Sequence, residues 1–154
     1  AIDLAQVLRS VALDLSPLIA EKDIDFDIET VSAPIASHEW MLGELARNLL
    51  HNAIKHTPPG GQLGVRITRD ARYAALTLSD GGPGISAELS ARLYQPFSAG
   101  NVRHGSGLGL AICREITQAL GGSISLENRT VHGQITGLDA VVRLPLFREV
   151  QNTD

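Results

Sequence analysis

Two neighbouring segments with a two-residue hydrophobic period constrain the fold most strongly. "QLGVRITRD" (62–70) and "YAALTLSD" (73–80) alternate apolar with polar residues. This alternation predicts two β-strands that each bury one face. Only a short turn near Asp70 to Arg72 separates the segments, so we predict that they form a hairpin of antiparallel strands.

Helical spacing of apolar residues marks three further segments. The first lies between Leu4 and Ile19, where Pro17 is expected to kink or end the helix. The second extends from about His38 to His56 and stops at "TPPGG". The third is "LGLAICREITQAL", ended by a pair of glycines.

Three other segments have the pattern of strands. They are "DIDFDIET", "SISLENR" and "LDAVVRLPL". Helices and strands therefore do not alternate regularly as βαβ units, and this order predicts an α+β fold. We expect a two-layer sandwich with a mixed, mostly antiparallel sheet and about three helices on one face. One domain over residues 1–147 is predicted, with 148–154 as a frayed C-terminal tail.

Composition narrows the possible functions. The 154 residues include 13 Lys and Arg against 17 Asp and Glu, a net charge of −4, so a general affinity for nucleic acid or anionic lipid is not expected. Cys113 is the single cysteine and is predicted to be a core thiol. No run of about 18 apolar residues and no signal peptide is visible, so we expect a soluble, unsecreted chain. The first residue is not Met, which leaves open that the chain is a piece of a longer protein.

The second predicted helix carries an unusual polar face within "ELARNLLHNAIKHTPPGG". Asn48 and Asn52 are one turn apart, although asparagine is a mediocre helix former. At about 100° per residue they share a stripe with Glu44, His51 and Lys55, opposite the apolar residues. A solvated helix face is one explanation. The alternative is a metal–phosphate site, because amide oxygens can ligate Mg²⁺ and an ammonium can meet a phosphate.

Two glycine-rich motifs follow in a segment, 81–107, that is long enough to be functional or mobile. "DGGPG" begins at Asp80 and could be an ordinary turn. "GSGLGLAICREI" opens the third helix with glycines, where free backbone N–H groups favour an anion. Neither a Walker motif nor a dinucleotide fingerprint is present.

The order and spacing of these motifs resemble the ATP-binding catalytic domain of bacterial two-component sensor histidine kinases. This group is related to gyrase B, Hsp90 and MutL. "ELARNLLHNAIKHTPPGG" resembles the N box, "DGGPGIS" the G1 box, "LYQPFSAG" the F box and "GSGLGLAI" the G2 box. The resemblance covers 1–146 and implies a Bergerat-type (GHKL) fold with ATP and Mg²⁺ as ligands.

The resemblance also implies roles for individual residues. Asn48 and Asn52 would coordinate Mg²⁺, Lys55 would contact phosphate, His56 would lie beside the nucleotide, and Asp80 would accept a hydrogen bond from the adenine amino group. Asn48, Lys55 and, in the lid, Arg103 are the implied catalytic residues. The remaining implied nucleotide contacts are Gly82, Gly84 and Ile85 of the G1 box, Phe97 of the F box, and Gly105, Gly107, Leu108 and Gly109 of the G2 box.

Several departures and alternatives remain. The F box reads Gln-Pro-Phe and the lid is short, while Leu138 stands where many relatives carry Thr. Gyrase-like relatives have a carboxylate base where this chain has Asn48, and an amide cannot take a proton, so ATP hydrolysis should be slow. Glu44 is more simply a salt-paired surface residue than a base. His38, followed by Glu39, only partly imitates the phospho-acceptor motif and fits a helix start better.

The resemblance implies an incomplete enzyme that works with other domains. The γ-phosphate would pass to a histidine on a separate helical dimerisation domain, and a response regulator would be a further partner. No nucleic acid and no direct membrane contact are expected of this domain, which would lie in the cytoplasm as part of a bacterial inner-membrane sensor. A non-catalytic docking module and a self-contained ATPase are the alternatives.

Overall fold

The computed structural model describes residues 1–81 and 106–148, with only the helical backbone given for 106–109. The elements in chain order are β1 (Ile2–Asp3), α1 (Leu4–Glu21), β2 (Asp25–Glu29), β3 (Pro34–Ile35), α2 (Glu39–His56), β4 (Gln62–Arg69), β5 (Tyr73–Asp80), α3 (Ser106–Ala119), β6 (Ser123–Val131) and β7 (Gln134–Pro145). In these ranges, no helix is both long and apolar enough to cross a membrane. The predicted boundary at 147 stays a prediction.

The main sheet has five strands in the order β2-β4-β5-β7-β6. The β2–β4 pair is parallel, and the other three pairs are antiparallel. Buried apolar residues of the strands join those of α1, α2 and α3 in one core. The predicted α+β, two-layer sandwich with a mixed, mostly antiparallel sheet is confirmed.

The predicted hairpin of β4 and β5 is confirmed, and Asp70 explains its turn. The Asp70 carboxylate accepts hydrogen bonds from the backbone N–H groups of Arg72 (2.7 Å) and Tyr73 (2.8 Å). This side-chain turn lets the second strand start directly against the first. Because the pairing is antiparallel, the end of β5 returns to the beginning of β4, where Asp80 pairs with Leu63.

Pro17 does not end α1, which continues to Glu21. Proline has no N–H, so the carbonyl four residues earlier, that of Leu13, loses its usual helical donor. The Ser16 hydroxyl replaces this donor with a hydrogen bond of 2.8 Å to the Leu13 carbonyl. An end of the helix at Pro17, one of the two predicted effects, is therefore wrong because a neighbouring side chain compensates for the missing bond, while a kink there stays a prediction.

The last two strands are longer than predicted and form a second hairpin. They meet at His132 and Gly133, which both have positive φ, at 52° and 79°. Two left-handed residues form a tight turn whose twist suits antiparallel strands. A histidine in this conformation is uncommon, and this is why the sequence alone did not indicate the turn.

The glycine pair after α3 ends that helix as predicted. Gly121 has a φ of +77°, and its N–H donates to the Gln118 carbonyl, while the N–H of Gly122 donates to the Thr117 carbonyl. This is the hydrogen-bond pattern of a Schellman cap. A Cβ on Gly122 would also collide with the Arg143 carbonyl of β7. The helix end is thereby packed against the sheet.

Cys113 lies in the core between α3 and α2, as predicted. Its side chain is 0% exposed, and Sγ is 3.8 Å from the Leu45 carbonyl. Burial raises the pKa of the Cys113 thiol to about 12. Since the thiolate is the reactive form, this cysteine should be inert in the folded chain.

We therefore expect an aromatic disulfide reagent at pH 8 to label the native chain only through unfolding, and to label it at once in denaturant. The chain has one cysteine, so the labelling rate reports this site alone. Fast stoichiometric labelling of the native protein would contradict the packing described for Cys113.

Candidate functional site

The polar face of α2 lies opposite its buried face. Asn48 and Asn52 are half-buried, and Lys55 at the end of the helix is exposed. The opposite side of α2 is buried in the core through Leu42, Leu45, Ala46, Leu49, Leu50, Ala53 and Ile54. The seven apolar anchors fix the rotation of the helix, and so fix the direction in which its two asparagines point.

Glu44 orients the Asn48 side chain. The Asn48 amide nitrogen donates to the Glu44 carbonyl at 2.8 Å and to a Glu44 carboxylate oxygen at 3.4 Å. Both amide hydrogens thus face back along the helix, and the amide oxygen faces away from Glu44. Glu44 is exposed and forms no salt bridge with another described residue, and the prediction that it is salt-paired stays a prediction. Its observed partner is Asn48.

Asn52 fits the donor set that Mg²⁺ prefers. No hydrogen bond joins its side-chain amide to another described residue, although the residue is half-buried. Its oxygen and that of Asn48 lie one turn apart on the same helix face. Amide oxygens are hard, neutral ligands that suit Mg²⁺ beside phosphates. Among the described residues, no cluster of three His, Cys, Asp or Glu could hold a metal instead.

Asp80 occupies the last position of β5 and is 4% exposed. It pairs with Leu63 of β4 on one side and with Leu138 of β7 on the other. β4 follows α2 after a five-residue turn, so this pairing brings Asp80 beside the C-terminal end of α2. Leu138 is also buried, with 5% exposure, and its apolar side chain supplies no hydrogen bond to Asp80.

His56 connects the end of α2 electrostatically with Asp80. Burial lowers the pKa of His56 below its ordinary value of 6.5. The negative charge of Asp80 opposes this shift, and the positive charges of Lys55 and Lys22 add to it. The imidazole is therefore neutral at neutral pH and offers a flat, uncharged surface next to the buried carboxylate.

Lys22 is a structural part of this region that the sequence did not reveal. Its ammonium donates to the carbonyls of Ile54 (2.8 Å) and Lys55 (3.1 Å) in the last turn of α2. Its own carbonyl accepts from the Gly60 N–H at 2.8 Å. A cation there satisfies orphan carbonyls and complements the helix dipole. More than 30 positions separate Lys22 from the two residues it contacts in the last turn of α2, so no local pattern could indicate the contact.

The predicted residues fall into two groups. The structure places Asn48, Asn52, Lys55 and His56 along the C-terminal half of α2, with Asp80 at the end of β5 near His56, and it places Gly107, Leu108 and Gly109 in the first turn of α3. His38 is the N-cap of α2, as predicted, and its ring stacks on Trp40. The other predicted positions lie outside the described residues: Gly82, Gly84, Ile85, Phe97, Arg103 and Gly105.

The chain is similar in sequence to known proteins over most of its length. Residues 38–148 match the family described as histidine kinase-, DNA gyrase B-, and HSP90-like ATPase. The histidine-protein kinase/phosphatase MprB of Mycobacterium bovis is 37% identical over 127 residues, which cover 80% of this chain and 25% of that protein. MprB of Mycobacterium ulcerans is 36% identical over a stretch of the same length. The chain thus spans about a quarter of these curated relatives.

Solved structures agree in fold. A mycobacterial sensor histidine kinase MprB superposes with a TM-score of 0.78 and 30% identity, covering 94% of this chain and 97% of the other. The catalytic domain of histidine kinase ThkA gives 0.77 and 27%, with coverage of 96% and 97%. ThkA in complex with the response regulator TrrA gives 0.76 and 25%, with coverage of 95% and 41%.

The lowered pKa of His56 predicts a pH dependence of stability. Below pH 6.5 the unfolded chain takes up a proton on this histidine before the folded chain does, so stability present above pH 6.5 is lost as the pH falls through the folded pKa. We expect the free energy of unfolding to fall less between pH 7.5 and 5.5 in His56→Gln than in the wild type.

Urea unfolding at the two pH values measures this difference. His51→Gln changes an exposed histidine of the same helix and is the matched control. An equal loss of stability in wild type and His56→Gln would mean that burial does not hold His56 neutral.

Proposed function

The chain belongs to the family of histidine kinase-, DNA gyrase B- and HSP90-like ATPases, and on this basis we propose that it binds Mg-ATP and presents the γ-phosphate to a histidine on a separate helical domain. The proposal assigns the chain to a two-component sensor kinase as its ATP-binding catalytic part. The acceptor histidine and the response regulator belong to other domains or proteins.

One observation carries the proposal: α2 presents two asparagines one turn apart, with the Asn48 amide oriented by Glu44, and this row leads toward a buried carboxylate. Glu44 holds the Asn48 amide nitrogen, and the antiparallel return of β5 places Asp80 at the other end of the row. A nucleotide needs this separation of functions, with neutral metal ligands for the phosphates and a fixed acceptor for the base.

Each residue has a distinct part in the proposed binding. Asn48 and Asn52 would hold Mg²⁺, which neutralises phosphate charge when bound. The exposed Lys55 ammonium would meet a phosphate. The Asp80 carboxylate would accept a hydrogen bond from the adenine amino group, and the neutral His56 ring would pack beside the nucleotide. The protein would contribute mainly positioning and charge neutralisation.

Phosphotransfer is favoured over hydrolysis by the residue at position 48. The Asn48 amide cannot act as a general base for water, and its nitrogen is already engaged by Glu44. A site without a base there keeps the γ-phosphate for another acceptor. The complex of ThkA with its response regulator supports the proposal of a regulator as partner. We further propose a cytoplasmic location within a bacterial membrane sensor.

Removing the proposed metal ligand Asn52 should abolish the Mg²⁺-dependent binding of the nucleotide. We expect Asn52→Ala to lose the Mg²⁺-dependent part of the affinity for a non-hydrolysable ATP analogue, because the variant lacks an amide ligand. Calorimetric titration with and without Mg²⁺ measures this loss. Gln118→Ala, which removes an exposed amide from α3, should bind like the wild type.

Two outcomes would favour other functions. A folded wild type that binds no nucleotide would move the docking-module alternative ahead. Appreciable ATP turnover by the isolated chain would revive the self-contained ATPase. Transfer of phosphate from ATP to an added helical histidine domain is the direct test of the kinase proposal.

The carboxylate of Asp80 gives a second prediction. Asp80→Asn keeps the shape of the side chain but replaces one acceptor oxygen with a donor, so the affinity for the ATP analogue should fall by about tenfold or more. Calorimetric titration with the ATP analogue measures this change in affinity. Unchanged affinity in both Asn52→Ala and Asp80→Asn would contradict the proposed site.

A further inference from the structure

Arg129 makes a long-range contact with the backbone of Asp80. Arg129 is on β6 and Asp80 is on β5, and β7 lies between these strands. The Arg129 guanidinium crosses β7, and its Nη2 donates to the Asp80 carbonyl at 2.5 Å. Its Nη1 donates to the Leu138 carbonyl at 3.4 Å and forms an ion pair with Asp139. One side chain thus contacts Asp80 of β5 and two consecutive residues of β7, Leu138 and Asp139.

Gly137 makes room for this crossing. It pairs directly with Arg129 in the β6–β7 register. A Cβ at Gly137 would collide with both the Arg129 Nη2 and the Asp80 carbonyl oxygen. Any side chain there would separate the two groups that now form a hydrogen bond. The glycine is therefore required by the close approach and not by its own backbone conformation.

The guanidinium approaches Asp80 from the back of the sheet. Successive residues of a strand point to opposite faces. Asn128 pairs with the buried Leu138, so the next residue, Arg129, points to the face away from the helices. The contact of Arg129 is with the Asp80 main chain, which leaves the carboxylate to the helix side.

Asp80 occupies a position that needs such support. It is the last residue of β5, and strand ends fray when the ladder stops. The following residue contributes one more bond, from the Gly81 N–H to the Gln62 carbonyl at 3.2 Å. The charged hydrogen bond from Arg129 is the stronger type and comes from a third strand. Asp139 in turn fixes the guanidinium.

We infer that Arg129 is a positioning residue that sets the purine specificity of the site by fixing the Asp80 main chain behind the base. This inference rests on the proposed function and deepens it. Arg129 touches no substrate. It acts by limiting the positions of the Asp80 carboxylate, and only a fixed acceptor distinguishes the amino group of adenine from the carbonyl that inosine carries at the same place.

The test compares the affinities for ATP and inosine triphosphate, because these nucleotides have the same phosphates and differ at the group that Asp80 would contact. We expect Arg129→Ala to weaken ATP binding about tenfold and inosine triphosphate binding less than twofold, so that the preference of the wild type for ATP collapses. If Arg129 contributed only to overall stability, the Arg129→Ala variant would lose the same factor of affinity for both nucleotides. Arg129→Lys keeps the positive charge but not the planar guanidinium with its several N–H donors, so this variant should keep part of the preference for ATP.

Arg66→Ala is the matched control. Arg66 lies on β4 and forms an exposed pair with Glu29 at 3.4 Å, with 64% of each side chain exposed. This variant should leave both affinities unchanged. If Arg129→Ala does not fold, as judged by circular dichroism, Asp139→Asn replaces it. Loss of the ion pair should lower the ATP preference in the same direction by a smaller factor.

The outcomes distinguish a failure of the proposed function from a failure of the role inferred for Arg129. A wild type that binds neither nucleotide overturns the proposed function and this inference with it. A wild type that prefers ATP, together with folded Arg129 and Asp139 variants whose preference is unchanged, overturns the inference alone. Equal weakening of both nucleotides in those variants would assign Arg129 a purely structural role.

Discussion

The antiparallel pairing of Leu63 with Asp80 is the contact on which the site depends. α2 ends five residues before β4 begins, and β5 runs back along β4 to the same end of the molecule. If β5 were parallel to β4, it would end at the opposite end of the strands, away from the C-terminal end of α2. The hairpin therefore unites the polar face of a helix with a buried carboxylate that follows it by more than twenty residues.

Several of the polar side chains near the C-terminal end of α2 are uncharged. Asn48 and Asn52 are neutral, and burial keeps His56 neutral as well. Lys22 places its ammonium on the carbonyls that end α2. In the proposed site, a neutral ligand row beside a polyanion would avoid repulsion, and cations at its end would attract the phosphates. This distribution would let a chain with a net charge of −4 offer a local site for an anion.

The sheet also supports the Asp80 main chain from the face opposite the helices. Leu138 pairs with Asp80 and is buried, but its apolar side chain contributes no hydrogen bond. Arg129 instead contacts the Asp80 carbonyl through the space left by Gly137. In the proposed site, specificity would thereby depend on strands that do not touch the ligand.

Local patterns were enough to predict the three helices, the five strands of the main sheet and the polar residues of α2, because two-residue and helical periods are local and "TPPGG" and Gly121–Gly122 are strong stop signals. The two-residue strands β1 and β3 were not predicted, since two residues show no period. The sequence also left open whether α1 ends at Pro17, where Ser16 supplies the missing donor, and it did not indicate the turn at His132. Only the tertiary structure decided that Lys22 caps α2 and that Arg129 reaches Asp80. Both contacts join residues more than 30 positions apart, and such pairs are set by sheet register and helix packing, which no local pattern encodes.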